Sequence, residues 1–541
     1  MAAFPLKSIR LCTLALGVAL ALAPPALAAP TTIQLGPAAG DDFIIYDNAL
    51  TERLRVDNAT GNISHNGALF VHTTGSGSIF VGADTGNLTT TGFGNVAVGN
   101  GALYYNTSGY HNSAFGLLAL HVNTTGNDNS AFGYAALFFN TTGLKNSAVG
   151  NHALFSNTMG GSNSAVGYGA LRNNTTGSAN VAVGLYALRD NNGSANSALG
   201  FAALGANTTG FDNVAVGGSA LLSNEEGYAN VAVGHDALFS NTTGDRNSAV
   251  GDAALRINST GSRNSAFGSD ALRYNTASTN SAFGSRALMS NTTGGENSGF
   301  GYKALSSNQT NGKNSAFGLR ALETTTGIGN TAVGRWALRF TSSGNYNAAL
   351  GMNAGENQST GSNNIYLANS GEAAESGRIR IGSGVHTATF IAGIRGITTL
   401  NADAIPVLVD SAGQLGTVSS SRRVKKEIRD MGDATDRLLE LRPVMFRYTQ
   451  EQTLPSGGLP PEYGLIAEEV AEVFPDLVVY DEAGLPFTVK YHVMAPMLLN
   501  EVQKQQHTIE AQQQEIAALT TRLARLEGKA VVTAAFKGAT R

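Results

Sequence analysis

Cysteine is all but missing from this 541-residue chain; the single one, Cys12, lies in a leader-like stretch at the N-terminus. Disulfides and cysteine-ligated zinc are thereby excluded from everything that follows the leader. Charge is scarce as well, at 14% of residues and a net −4, which argues against a general nucleic-acid binder. After residue 28 no apolar run is long enough to cross a bilayer as a helix, so no integral membrane segment is expected. The nine histidines are scattered without metal-ligand spacing. No pair of carboxylates recurs as glycoside hydrolysis would require. The expectation is a chain without metal and without cofactor.

The leader itself reads as a secretory signal over residues 1–28. Lys7 and Arg10 precede an apolar stretch from Leu11 to Leu22, and Ala26-Leu27-Ala28 supplies a small-residue cleavage site. The mature protein is expected outside the cell or on its surface.

What the chain has in quantity is glycine, 66 residues of it, and a repeat. A unit that reads approximately N-[SV]-A-[VF]-G-x-x-A-L-x-x-N-T-T-G-x-x begins at Asn95 and occurs sixteen times, the last copy starting at Asn347. Its period is 17, shortened to 16 in three copies. The Gly four residues after the leading Asn and the Ala seven after it occur in every copy; the Leu eight after it occurs in fifteen. Such a unit cannot bury its apolar side alone and must stack on its neighbours as a solenoid. "NSAVG" supplies a short strand, the Gly a sharp bend or close approach, "AL" a second apolar contact and "NTTG" a turn. Sixteen coils at one strand spacing each make a rod of roughly 75 Å. The leading Asn is expected to form a buried hydrogen-bonding ladder.

The unit resembles the head repeats of trimeric bacterial adhesins and phage tail fibres, whose "NSVAIG"-like coils form β-rolls shared among three chains. The present unit is longer than the adhesin repeat, and no membrane β-barrel anchor is expected at the C-terminal end. The many N-x-[ST] matches follow from "NTT" and read as turns rather than glycan acceptors. Rows of Thr such as Thr124-Thr125 and Thr141-Thr142 would suit an ice-binding face, but Glu225-Glu226, Asn192-Gly193 and Thr158-Met159 interrupt them. Before the solenoid, assigned to 93–358, residues 29–92 read as a β-rich cap or attachment region. After it, 359–419 read as a β-rich neck.

Composition changes near residue 420. Of the chain's 74 charged residues, 32 lie between Ser420 and Arg541. "EIRDMGDATDRLLELRP" reads as an amphipathic helix with Ile428, Met431, Leu438 and Leu439 on its buried face. A strand, a short helix stopping before Pro475, a hairpin across Asp481 to Gly484 and a long helix follow. The long helix carries a heptad over about 494–527: Ala495, Val502, Ile509, Ile516 and Leu523 at a, with Leu498, Gln505, Gln512, Leu519 and Leu526 at d. That pattern points to a coiled coil. The expected fold class is mainly β, a β-solenoid of sixteen 17-residue units, then a small α+β domain (420–541) ending in a long coiled-coil helix.

The motifs "SSRRVKKEIRDM", "LLELRPVMFRY", "YGLIAEEVAEVFPDLV" and "VKYHVMAPMLLNEVQ", in this order over about 420–510, resemble the intramolecular chaperone domain of endosialidase tail spikes. The resemblance implies a domain that trimerises, guides assembly of the fibre ahead of it and then cuts itself off with a serine-lysine dyad. Aligned on Ile428 with the family pattern S-D-x-R-[LV]-K-x-x-I, Ser420 is the implied nucleophile, Lys425 its base and Arg423 the motif arginine. The implied scissile bond is Ser419–Ser420. Ser421 stands where the family has Asp. Ser421 and Lys426 share the same spacing, but Ile428 and Arg423 favour Ser420 with Lys425.

A lysine acts as a base only as the neutral amine. Neighbouring cations, the positive end of a helix and partial burial all favour that form, which would give Arg422, Arg423 and Lys426 a purpose beside it. The expected function is therefore an exported trimeric fibre or adhesin-like protein, with a single-turnover self-cleaving serine-lysine endopeptidase at its C-terminal end. Its partners would be two further copies of itself and a surface glycan or protein. The alternative is a trimerisation domain that does not cut, on a surface-binding solenoid.

Overall fold

A computed structural model describes residues 32–35, 42–46, 51–74, 76–392, 394, 403–448 and 461–538. The leader expected over 1–28 lies outside these residues. The chain divides into two compact units, Met1–Phe390 and Ile391–Arg541.

The first unit opens with an antiparallel meander of five strands, Thr32–Leu35, Phe43–Tyr46, Glu52–Val56, Ile63–His65 and Ala68–His72. Ala68–His72 pairs antiparallel with Ile79–Val81, which then pairs in parallel with Val96–Val98. From Ile79–Val81 to Ile379–Ile381, nineteen three-residue strands stack in parallel and in register, giving eighteen turns of solenoid. At the usual strand spacing the stack is about 86 Å long. It contains the sixteen repeats and runs past residue 358 by two further strands, Ile365–Leu367 and Ile379–Ile381. Asn364 opens the first of these as a seventeenth leading Asn, 17 residues after Asn347.

Successive side chains of a strand point to opposite faces, so a three-residue strand sends its centre one way and its flanks the other. The central Ala is buried in coil after coil (Ala97, Ala114, Ala131 and their equivalents) and touches the Ala and Leu of "AL", also buried. That Leu is neither in a strand nor in a helical turn. It adopts a left-handed backbone, with φ of 53° at Leu103 and 52° at Leu120. The conformation costs roughly 1–2 kcal/mol for a non-glycine residue. Burying the side chain contributes about 1.5–3 kcal/mol against it, and the backbone N–H of Leu120 donates to the Ala136 carbonyl of the next coil at 3.0 Å. The Gly four after the leading Asn has φ near 135°. A Cβ on Gly116 would lie 2.6 Å from the Gly133 carbonyl oxygen of the next coil. Only glycine lets the coils approach this closely.

The expected Asn ladder is present. Asn112 N–H donates to Asn95 Oδ1 at 2.9 Å, and Asn112 Nδ2 donates to the Gly126 carbonyl at 2.9 Å. A second ladder runs beside it, built from the Asn of "NTT". Asn123 Nδ2 donates to Asn106 Oδ1 at 2.9 Å and to the same Gly126 carbonyl at 3.0 Å. Both columns are essentially inaccessible to solvent. They satisfy turn carbonyls and strand N–H groups that would otherwise be stranded in the interior. Thr325, Thr341 and Gln358 replace the second Asn in the last three repeats.

Aromatic plugs close both ends of the Ala/Leu core. Phe80 occupies the strand-centre position of Ile79–Val81, is wholly buried, and stacks on His72 with ring centroids 4.9 Å apart. Tyr366 does the same in Ile365–Leu367. Room for each ring comes from a glycine. A Cβ on Gly86 would meet Phe80 Cδ1 at 2.3 Å, and one on Gly355 would meet Tyr366 Cδ2 at 2.8 Å. Gly355 is the one repeat position that lacks Leu, and the Tyr366 ring explains the exception.

The outward residue at the third strand position is apolar in all sixteen repeats: Val98, Phe115, Phe132 and so on to Leu350. None of these side chains is buried in the single chain. They form one stripe along the coil axis, with Phe267, Phe283, Phe300 and Phe317 stacked face to face at 4.7–4.8 Å.

Candidate functional site

In the second unit, a two-stranded hairpin (Leu408–Val409 with Leu415–Gly416) leads into the serine and lysine run. The helix expected from Glu427, whose positive end would adjoin the four cations, does not begin there. Arg422–Val424 is a single 3-10 turn capped by Ser421. Ser421 Oγ accepts from Arg423 N–H and from Arg423 Nε, each at 3.3 Å, while Ser421 N–H donates to Ser419 Oγ at 3.3 Å. The hydroxyl at 421 thus does the capping for which serine is suited. Arg422, Arg423 and Lys425 lie in the turn's last residues and at its C-cap. A cation is better placed there than at the N-terminal end.

The structure gathers Ser419, Ser421 and Arg423 into one hydrogen-bonded cluster, and leaves Ser420 and Lys425 outside it. Ser419, Ser420, Arg423 and Lys425 are exposed, and Ser421 is half-buried. Neither Ser420 Oγ nor Lys425 Nζ has a hydrogen-bond or ion-pair partner among the described residues of the single chain. In this arrangement nothing withdraws the Ser420 proton. A working dyad requires the two side chains to be brought together and screened from water.

Behind this segment is a small core. Gly432–Glu440 is a 3-10 helix rather than an α-helix, and its buried residues are Thr435 and Leu438. Of the expected buried face only Leu438 is covered; Ile428, Met431 and Leu439 are exposed. Side chains three apart eclipse in a 3-10 helix, so Thr435, Leu438 and the following Leu441 share the inner side. Leu441 packs on a cluster of Val470, Leu477, Val478 and Val489. These come from the short helix Ala467–Val473, the turn Pro475–Leu477 and the hairpin Val478–Tyr480 with Pro486–Val489. Val444–Phe446 pairs with Glu462–Gly464.

The long helix, Tyr491–Gly538, is pinned at its start by polar groups that sequence reasoning did not single out. Thr435 Oγ donates to Glu501, Asn500 Nδ2 donates to the Gly432 carbonyl at 3.0 Å, and Lys504 Nζ pairs with Glu501 at 2.7 Å and with Asp436. The Lys504 ammonium and the Thr435 hydroxyl hold the Glu501 carboxyl below its ordinary value, and Asp436 with Glu501 raises Lys504. Further along, the heptad positions have no cover. Leu498, Val502, Ile509, Ile516, Leu519, Leu523 and Leu526 are 46–62% exposed.

Residues 420–479 match the family model described as chaperone of endosialidase. No curated protein and no solved structure gives a significant match to the chain. Among the described residues no helix is long and apolar enough to cross a membrane, and no cluster of His, Cys, Asp and Glu is suited to a metal ion.

Proposed function

We propose that this protein is an exported homotrimeric fibre whose C-terminal domain directs assembly and then releases the shaft by cutting Ser419–Ser420. The observation that carries the reading is the uncovered seam of the long helix. Seven apolar a and d side chains exposed in one chain are what a coiled coil buries among its strands. Gln505 and Gln512 in the same seam are polar layers of the kind that fix register and strand number. The match of 420–479 to the chaperone family supports a domain of this type. The outward stripe of the solenoid gives the shafts a surface to share, because one apolar side chain per coil is matched in spacing only by another copy of the coil.

The chemistry follows from the order of atoms at the cut. Lys425, as the neutral amine, takes the Ser420 hydroxyl proton while Oγ attacks the Ser419 carbonyl carbon. Collapse of the tetrahedral intermediate breaks the Ser419–Ser420 C–N bond and passes a proton to the departing Ser420 amine. An ester between the Ser419 carbonyl and Ser420 Oγ remains. Water hydrolyses it, leaving a carboxylate on Ser419 and restoring the Ser420 hydroxyl. The separation of Ser420 from Lys425 in the single chain fits a site completed only when three chains meet.

The second reading, a trimerisation domain that does not cut, draws on Ser421. It stands where the family pattern has Asp, and its hydroxyl is already engaged by Arg423. Native mass spectrometry of the chain without its leader, over a range of concentrations, tests the proposal. The expected result is a trimer and a cleavage rate that rises with concentration. A monomer at all concentrations would remove the trimer, and cleavage independent of concentration would remove the shared site.

A further inference from the structure

The first coils of the solenoid carry a feature that the repeat does not demand. The positions nine and ten residues after the leading Asn face outward, and along most of the shaft they hold non-aromatic residues, broken by single rings at Phe239, Tyr274 and Phe340. In the first four coils six of these eight positions hold rings: Tyr104, Tyr105, His121, Phe138, Phe139 and Phe155. Tyr104, His121, Phe138 and Phe155 stack one on the next, with centroids 5.2–5.5 Å apart and planes within 19° of parallel. The column ends at Tyr104. In the coil before it the equivalent position is Asn87, so no ring covers the second face of Tyr104.

That end of the column lies in a cleft of about 740 Å³ between the hairpin at Gly67–His72, the loop at Gly82–Leu88 and the two tyrosines. Such a volume suits a small organic ligand. The cleft has an apolar platform in Tyr104 and Tyr105, set edge to face with centroids 4.8 Å apart. It also has hydrogen-bonding groups. Asp84 is exposed. Asn87 Oδ1 accepts from Thr89 N–H at 2.9 Å and from the Thr89 hydroxyl at 2.8 Å, which leaves Nδ2 to donate. His72 is 2% exposed, and its Nε2 donates to the Thr85 carbonyl at 2.6 Å. Its Nδ1 is thereby an acceptor, and it has no partner. That atom is sealed from solvent, so the ring, stacked on Phe80, shapes the wall of the cleft without offering it an acceptor.

We infer that this cleft binds a neutral oligosaccharide. A pyranose offers what the cleft is built to receive: a face of C–H groups for the exposed side of Tyr104, and hydroxyls that donate to Asp84 and accept from Asn87. The charge of the lining selects among sugars. Asp84 is its one carboxylate and it contains no Lys or Arg, so sialic and uronic acids are disfavoured by repulsion without a compensating cation. The inference is independent of trimer formation and of cleavage.

Isothermal titration of the full chain without its leader, with cellotetraose, maltotetraose, chitotetraose and tetrameric α2,8-sialic acid as probes, tests it. The expected result is binding of at least one neutral tetrasaccharide, weakened about tenfold or more by Tyr104→Ala and by Asp84→Ala. Phe139→Ala, which alters a ring outside the cleft, should leave binding unchanged. Thermal melting of each variant, together with native mass, separates lost binding from lost fold or lost assembly. No binding by any neutral probe, preference for the sialic acid tetramer, or binding retained in well-folded Tyr104→Ala and Asp84→Ala would overturn it.

Discussion

The solenoid and the C-terminal domain solve the burial problem in opposite ways. Each solenoid coil finishes its interior within one chain: Ala, Leu and both Asn columns are sealed, and an aromatic plug closes each end. The C-terminal domain seals only a handful of side chains around Val470 and Val489, and its long helix leaves a whole seam in water. A repeat array can be stable by stacking on itself. A small α+β domain with an uncovered apolar seam has little core of its own. On the trimer we propose, the demand for partners lies in the C-terminal domain first, and the shaft's outer stripe would add to it.

The strongest way to break that comparison is to put charge in the seam. Ile509→Asp with Ile516→Asp places two carboxylates per chain in the coiled-coil core. The expected outcome is complete loss of trimer at micromolar concentration, read as a threefold drop in native mass, while the shaft's β-type circular dichroism remains. Persistence of the trimer would move the demand for partners to the shaft.

Within the shaft, the plugs and ladders rank next. Tyr366→Ala empties the end of the core, which for a large aromatic costs about 3–5 kcal/mol. The expected result is fraying from the C-terminal coils, seen as faster amide exchange in residues 347–381 than in mid-shaft. Asn213→Ala removes one rung: it orphans the Asn230 N–H and leaves the Gly227 carbonyl with Asn224 Nδ2 as its one side-chain donor. At about 1–3 kcal/mol per orphaned buried group, it should lower the melting temperature of the shaft measurably. An exposed change such as Thr209→Ala should not.

The smallest effect sharpens the account of the helix anchor. Glu501 is held below the ordinary glutamate value of 4.5, so its contribution is full above that pH and disappears as the pH falls through its lower folded value. Lys504 is raised, and its contribution is full below the ordinary 10.5 and disappears as the pH rises past its higher folded value. Wild type and Glu501→Gln should therefore differ in the melting of the C-terminal domain at pH 7. The gap should narrow as the pH falls through the lowered folded value of Glu501. A gap unchanged from neutral pH down to full protonation of the carboxyl would assign Glu501's role to packing alone.

Much of the shaft was legible because repetition exposes it. The glycine bend and the first Asn ladder follow from positions that hold in every copy, and the strand-centre Ala from one that fails only at Gly299. The second Asn ladder was hidden because Asn before Thr-Thr-Gly is also ordinary turn chemistry, and only the stacked geometry shows that its amide points inward. The plugs were hidden because Ile79–Val81 lacks the leading Asn, and because Gly355 looks like a defect until Tyr366 is placed against it. In the C-terminal domain the order of elements was readable and the inner face of Gly432–Glu440 was not. A period of 3.6 selects Ile428, Met431, Leu438 and Leu439, whereas the 3-10 helix buries Thr435 and Leu438. The same shortening removes the helix end expected beside Lys425. The pairing of Ser420 with Lys425 comes only from the resemblance to the chaperone family, and in the single chain neither side chain has a partner among the described residues.

The central claim is that three chains build a site which one chain lacks. Intact mass spectrometry of the assembled protein, beside Ser420→Ala and Lys425→Ala, tests it most directly. The account predicts a wild-type fragment that begins at Ser420 and whole chains in both variants, with all three assembling as trimers. A wild-type trimer that stays whole, or a variant that is still cut at this bond, would contradict it.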